Sequence, residues 1–296
     1  MNHSVYVITS SAQSGKSIVS LGLMQMLKRT TPNVGFFKPL VEHKNVTDPH
    51  IETILTHFKV NMKYEDAFSF SRSEFTEHQN QGKINDVYDS IIEKYKNLEN
   101  QFDFVLVEGS DFSDESSVFE IDFNGSVAKN LGIPALLVIK DSFETIPELA
   151  NNVIAEVNSF LEKDVNVIGV IVNRCEKNQQ EVQAIINHEI KKGIFVAVIP
   201  RIEELGKPSI REIINEIKGH VLFGKEKLDN IAKTTVIGAM QLGNFLPRIT
   251  PDSLCIMPGD RSDLIVGTSL ANISPQYPNV SGIVLTGGFA PERSIV

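Results

Sequence analysis

The segment Ser10-Ser11-Ala12-Gln13-Ser14-Gly15-Lys16-Ser17 carries the most concentrated chemistry in the sequence. It matches the phosphate-cradling pattern G-x-x-x-x-G-K-[ST] at every fixed position except the first, where Ser10 stands in place of glycine. In such a turn, backbone N–H groups at a helix N-terminus converge on phosphate oxygens. Ser14, Gly15, Lys16 and Ser17 are the cofactor-binding candidates here. Lys16 brings a positive charge to the terminal phosphates, and the Ser17 hydroxyl can ligate Mg²⁺. Ser10 works against the site, because glycine there permits close backbone approach without a steric penalty. The pattern predicts a phosphate-site geometry without predicting nucleotide turnover. The competing reading is a polar turn whose lysine is solvated.

Further residues fit the same rim. Glu108 ends an apolar strand before Gly109, a usual place for a carboxylate facing a phosphate crevice. Together with Ser17 it is a metal-ligand candidate, against the alternative of a solvated strand-end acid. Asp48, just before Pro49, is either a metal ligand, direct or one shell out, or a helix N-cap. Lys38-Pro39 follows the second predicted strand and points to the same rim, although a lone strand-end lysine is commonly solvated. Asn173 with Arg174 ends another strand, where the amide either reads a purine edge or caps a turn. No catalytic residue is assigned. The seven histidines are scattered, and His43, His50 and His57 fall across a loop and Pro49, so none is expected to hold metal. Ser14 and Ser17 lack a nucleophile-elbow context. Gly287-Gly288 marks a tight turn and says nothing of ligands.

The elements that must position these residues alternate in type. Strand-like runs at 5–9, 34–38, 104–107, 135–139, 167–172 and 195–199 are separated by helical patterns at 18–29, 85–98, 146–161 and 179–192. The helix at 18–29 should bury Val19, Leu23, Met26 and Leu27; that at 85–98 should bury Val87, Ile91, Ile92 and Tyr95. Near-continuous apolar strands such as 104–107 imply a sheet covered on both faces. The predicted fold class is α/β, a doubly wound, mostly parallel sheet with the phosphate turn first, followed by a smaller α/β domain. In that second part, strands are expected at 234–239, 254–257 and 283–286, with a helix at 263–271 capped by Asp260 or Ser262. The texture changes after Lys218-Gly219, which predicts domains at 1–218 and 219–296. The strand and turn near the end lack a closing element, which reads as a fragment boundary.

Hydrophobic residues make up 42% and charged residues 22% of the 296, the balance of a chain with a sizeable core. The net charge of 28 − 37 = −9 disfavours nucleic acid and anionic membranes as partners. Two distant cysteines, Cys175 and Cys255, give no metal spacing and fit a reduced compartment. Without a signal-peptide pattern or an apolar run near 20 residues, a cytoplasmic protein is expected.

Several of these motifs together resemble a known family. The phosphate turn, Lys38-Pro39, Val107-Glu108-Gly109 and Val172-Asn173-Arg174 are similar to the dethiobiotin synthetase-like branch of P-loop proteins. Ile199-Pro200 and the run from Glu204 to Ile213 resemble the end of that domain in long-form bacterial phosphate acetyltransferases. Gly238-Ala239-Met240-Gln241, the run from Phe245 to Pro251, Pro258-Gly259-Asp260-Arg261-Ser262-Asp263 and Thr286-Gly287-Gly288-Phe289 resemble the DRTGG domain of the same enzymes. The resemblance implies an N-terminal regulatory and oligomerisation region. The parent enzyme would interconvert acetyl-CoA plus phosphate with acetyl phosphate plus CoA, through a C-terminal acetyltransferase domain outside this chain. It further implies a small-molecule effector, a homo-oligomer, and ATP with Mg²⁺ as the cofactor to consider. Several members lack the turn lysine, whereas Lys16 is present here. The rivals are an ATP-dependent carboxylase or amidoligase of the dethiobiotin synthetase type, and a stand-alone nucleotide- or metabolite-sensing protein.

Overall fold

The structure, a computed structural model, describes residues 4–9, 14–110 and 117–292, with the backbone alone at 117–120. Its internal contacts divide the chain into two compact units, 1–201 and 202–296.

The first unit is built from β1 (Ser4–Ile8), α1 (Lys16–Thr30), β2 (Val34–Val41), α2 (Pro49–His57), β3 (Phe68–Ser71), α3 (Arg72–Asn80) and α4 (Ile84–Gln101). It continues with β4 (Phe104–Glu108), α5 (Ser117–Leu131), β5 (Ala135–Lys140), α6 (Ile146–Leu161), β6 (Val167–Cys175), α7 (Gln179–Glu189) and β7 (Phe195–Pro200). Seven strands form one sheet in the order β3-β2-β4-β1-β5-β6-β7, and every neighbouring pair is parallel. The central strands are buried along nearly their whole length, which explains their unbroken apolar sequences. From β1 the chain crosses to β2 on one side; from β5 it crosses to β6 on the other. A crevice therefore opens outside the strands' carboxyl ends. The doubly wound parallel sheet is as the sequence predicts.

Two differences in this unit have physical causes. The sequence predicts no element between Lys38 and Asn85, where the structure places α2, β3 and α3. Helix α3 buries only Phe75, and β3 has four residues, so neither carries a readable period. Its start is set by a capping box, with Ser71 and Glu74 satisfying each other's backbone N–H groups. Helix α1 buries Lys16, Val19, Ser20 and Met24, and Met26 stays 65% exposed. The face was predicted from apolar spacing, but it is turned by the need to bring Lys16 inward.

The second unit contains α8 (Ile210–Ile217), β8 (Thr234–Ile237), α9 (Leu242–Phe245), β9 (Ser253–Pro258), α10 (Ser262–Ile273) and β10 (Val280–Thr286). Its three parallel strands run in the order β10-β9-β8. Phe245, Ile249, Cys255, Met257 and Leu264 form its core. Helix α10 starts after Arg261 without a side-chain cap, so neither Asp260 nor Ser262 has the predicted role. Gly259 is needed where it stands, since a Cβ there would lie 1.9 Å from the Phe289 carbonyl oxygen. The break between units falls earlier than the 218/219 boundary expected from sequence. The stretch from Pro208 to Arg211 is tied by backbone hydrogen bonds to Leu228, Asn230 and Ala232, which makes α8 part of the second unit. That tie joins residues far enough apart to leave no local signal.

Phe245 is fully buried in this small core. Phe245→Ala should destabilise the second unit by about 3–5 kcal/mol. Hydrogen exchange should then accelerate across β8, β9 and β10 and stay unchanged across β1, β4 and β5; uniform acceleration would contradict the division into units.

Candidate phosphate-binding site

The phosphate-type turn that follows β1 is described from Ser14 onward; Ser10 to Gln13, including the Ser10 departure, lie outside the described residues. Gly15 caps α1 in the left-handed region, at φ 84°. A Cβ there would also stand 2.3 Å from Asn173 Nδ2, so the position excludes any side chain on both counts. Asn173 Nδ2 donates to the Ser14 carbonyl at 2.8 Å, bracing the turn from the end of β6. That bond commits the amide to the turn rather than to a base edge. The first residue of α1, Lys16, is 2% exposed, and its ammonium donates to the Gly109 carbonyl just beyond β4. The solvated-lysine reading does not hold.

Glu108 ends β4 and is 1% exposed. Burial pushes its carboxyl up, but the hydrogen bond from His50 and the nearby charges of Lys16 and Lys38 outweigh that and hold it at about 2. It is an ionised acid at neutral pH. Its Oε1 lies 3.1 Å from His50 Nδ1 and 3.4 Å from Ser17 Oγ, and the same nitrogen lies 2.7 Å from Ser17 Oγ. An ionised carboxylate only accepts, so the Nδ1 hydrogen and the Ser17 hydroxyl hydrogen both have Glu108 as a natural acceptor.

Asp48 takes the N-cap alternative. Its Oδ1 accepts from the N–H groups of His50 and Ile51 at 2.9 and 3.2 Å, and Pro49 fills the first helical position of α2. Its Oδ2 pairs with Lys38 Nζ at 2.8 Å, both side chains being 10% exposed or less. With both oxygens engaged, Asp48 orients the start of α2, and hence His50.

Three features were not foreseen. His50, set aside as one of a scattered set, touches both Ser17 and Glu108. Asn124 on α5 accepts from Tyr6 Oη at 2.8 Å and from the Ser110 N–H at 3.2 Å, and its amide donates to the Ser110 carbonyl at 3.2 Å. The Ser110 hydroxyl in turn bonds both backbone groups of Leu40. This buried network fixes the loop after Glu108 against β2. Finally, Asp141 pairs with Lys177 at 2.8 Å beside the end of β6. An apolar position that reads Asn, as in α5, is the one sequence signal that could have pointed to the network.

Whether a phosphate and its metal fit here is testable on the structure. The Ser14 hydroxyl is buried with no hydrogen-bond partner among the described residues. A buried polar atom without a partner is costly unless a ligand or water meets it. With the Lys16 ammonium, the Ser17 hydroxyl and the ionised Glu108 beside it, the donor and acceptor set fits a phosphate with a divalent ion. Among the described residues no three His, Cys, Asp or Glu side chains converge as a metal cluster. No helix is long and apolar enough to cross a membrane among them.

Comparison with known proteins gives family matches over nearly the whole chain. A family model described as an AAA domain matches residues 3–209, and one described as a DRTGG domain matches 212–296. The phosphate acetyltransferases of Nitratidesulfovibrio vulgaris and Synechocystis are 34% and 33% identical to the chain; each alignment covers 100% of it and 43% of the relative. The chain thus spans less than half the length of these curated relatives. An ATP-dependent dethiobiotin synthetase of Clostridium perfringens is 23% identical over 73% of this chain and 98% of that protein. Among solved structures, the signal recognition particle 54 kDa protein of Aeropyrum pernix, in complex with GDP, covers 67% of this chain and 41% of its own. Its identity is 13% and its TM-score 0.46.

The depressed Glu108 acid gives stability that is present above its ordinary value of 4.5 and lost as pH falls toward 2. Glu108→Gln should therefore be less stable than wild type by about 3 kcal/mol near pH 6. Urea unfolding from pH 6 to 2.5 should show that gap closing below pH 4.5; a gap independent of pH would refute the ionised-acid assignment.

Proposed function

The chain belongs to the AAA-domain family through residues 3–209 and carries a DRTGG domain over 212–296, and we propose that it is the N-terminal regulatory portion of a phosphate acetyltransferase. The observation that carries this reading is the end-to-end alignment of the whole chain with only 43% of such enzymes. The two family models account for nearly every residue. The acetyl-transfer reaction, acetyl-CoA plus phosphate to acetyl phosphate plus CoA, would then belong to a further C-terminal domain. That domain is the partner this portion serves, within a homo-oligomeric assembly.

In this reading the first unit binds ATP with a divalent ion as an effector. Ser14, Gly15, Lys16 and Ser17 hold the phosphates: the N–H groups converge at the start of α1, Lys16 adds charge, and the orphaned Ser14 hydroxyl gains a partner. Asn173 acts through the turn, by fixing the Ser14 carbonyl. Ser17 and Glu108 would hold the ion, which supplies positive charge against the terminal phosphates. Asp48 contributes at one remove, by capping α2 and pairing with Lys38.

A second reading has one observation behind it. The match to nearly the full length of the Clostridium synthetase favours an ATP-dependent carboxylase or amidoligase. That match covers 73% of this chain, however, and the DRTGG domain has no place in it. The regulatory reading explains both units.

Calorimetric titration of the chain with ATP and Mg²⁺ tests the effector role. Lys16→Ala should weaken binding by about 1.5–3 kcal/mol, the range for charge-assisted hydrogen bonds, or roughly ten- to a hundred-fold. Wild-type affinity weaker than about 1 mM would mark the site as vestigial. A separate assay addresses the division of labour: the purified 296-residue chain should make no acetyl phosphate from acetyl-CoA and phosphate. Robust turnover by it would sink the regulatory reading.

A further inference from the structure

His50 comes to Ser17 and Glu108 from a different part of the chain, and its placement is built rather than incidental. It is the second residue of α2, its N–H held by Asp48 Oδ1 at 2.9 Å. Asp48 is itself fixed by Lys38 at 2.8 Å and by its own N–H donating to Tyr64 Oη at 2.7 Å. The imidazole is thus presented from a braced helix end. Three donor atoms result, one oxygen each from Ser17 and Glu108 and one nitrogen from His50, with mutual separations of 2.7, 3.1 and 3.4 Å. Adjacent ligands on an octahedral ion with bonds of about 2.1 Å stand about 2.1 × √2, or ~3.0 Å, apart. The three separations are close to those along one face of such a shell.

We propose that Ser17 Oγ, His50 Nδ1 and Glu108 Oε1 form a three-donor site that selects a divalent first-row transition-metal ion, of the Mn²⁺ or Co²⁺ class, over Mg²⁺. Mg²⁺ takes oxygen ligands and dehydrates reluctantly, whereas imidazole nitrogen suits the transition ions. A metal held at Nδ1 requires the ring hydrogen to sit on Nε2, on a side chain 39% exposed and open to water. The proposal rests on the phosphate-site reading in one respect, that nucleotide phosphates share the ion and offset its charge.

The probe is Mn²⁺ added to the full chain, alone and with ATP, read by electron spin echo modulation and by competition with Mg²⁺. Uniform ¹⁵N labelling of the protein distinguishes a protein nitrogen from the adenine of ATP. Mn²⁺ should bind at least tenfold more tightly than Mg²⁺, and its nitrogen modulation should change on labelling. His50→Ala should abolish that modulation and weaken Mn²⁺ about tenfold, while Mg²⁺ changes by no more than about twofold. Because the labelled wild type gives its own answer, a variant that folds poorly does not decide the matter. Bound Mn²⁺ without protein nitrogen, an unchanged metal preference in His50→Ala, or no ion bound at all would each overturn the proposal. ATP binding that depends on Lys16, with nitrogen-free Mn²⁺, would leave the phosphate reading standing alone. Nitrogen-coordinated Mn²⁺ without ATP binding would do the reverse.

Discussion

The first unit is organised around one buried negative charge. A carboxylate at the end of a central strand, 1% exposed, is costly to keep ionised unless the protein supplies compensating partners. Glu108 has them from three directions: Lys16 from the start of α1, His50 from the start of α2, and Lys38 from β2. Each partner is constrained in turn. Lys16 can be inside only because α1 is rotated to bury Lys16 and Ser20 beside Val19 and Met24. Lys38 is held by Asp48, and Asp48 also begins the helix that delivers His50. Removing the charge would leave two buried cations and one capped helix without their shared counterpart.

The turn that brings Lys16 inward depends on a second constraint, which is steric. Gly15 must adopt a positive φ and must carry no Cβ, because the Asn173 amide occupies that space while holding the Ser14 carbonyl. The ends of β1 and β6 are thereby locked together across β5. On the other side, Asn124 joins Tyr6 on β1 to the loop after β4, and Ser110 carries the connection to Leu40 on β2. Polar side chains buried at strand ends thus do what apolar packing does in the middle of the sheet: they fix loops whose backbone groups would otherwise have no partners.

This division explains what the sequence disclosed. The central strands were legible because burial on both faces forces an unbroken apolar run, as in β4 and β5. Lys16, Ser17 and Glu108 were legible because their spacing relative to a strand is a local property. The Asp48 N-cap was legible as an alternative, since Pro49 marks a helix start on its own. His50 was not, because its partners are 33 and 58 residues away and no local pattern records that. Asn124 and Tyr6, 118 residues apart, were hidden for the same reason. The face of α1 was misjudged on Met26 because apolar spacing was weighed without the site that turns the helix. Tertiary demands won wherever a polar group had to be buried.

The balance of charge at the site bears on what it can accept. Lys16 and Lys38 against Asp48 and Glu108 give (+2) + (−2) = 0. A bare multivalent anion would bring uncompensated negative charge toward the ionised Glu108, and a bare divalent cation would bring positive charge toward two lysines. Either alone is opposed by one half of the cluster. A phosphate group and a divalent ion entering together meet both halves: the oxygens face Lys16 and the N–H groups of the turn, while the ion faces Glu108 and Ser17. The charge pattern is matched to a phosphate group and a divalent ion together rather than to either one alone.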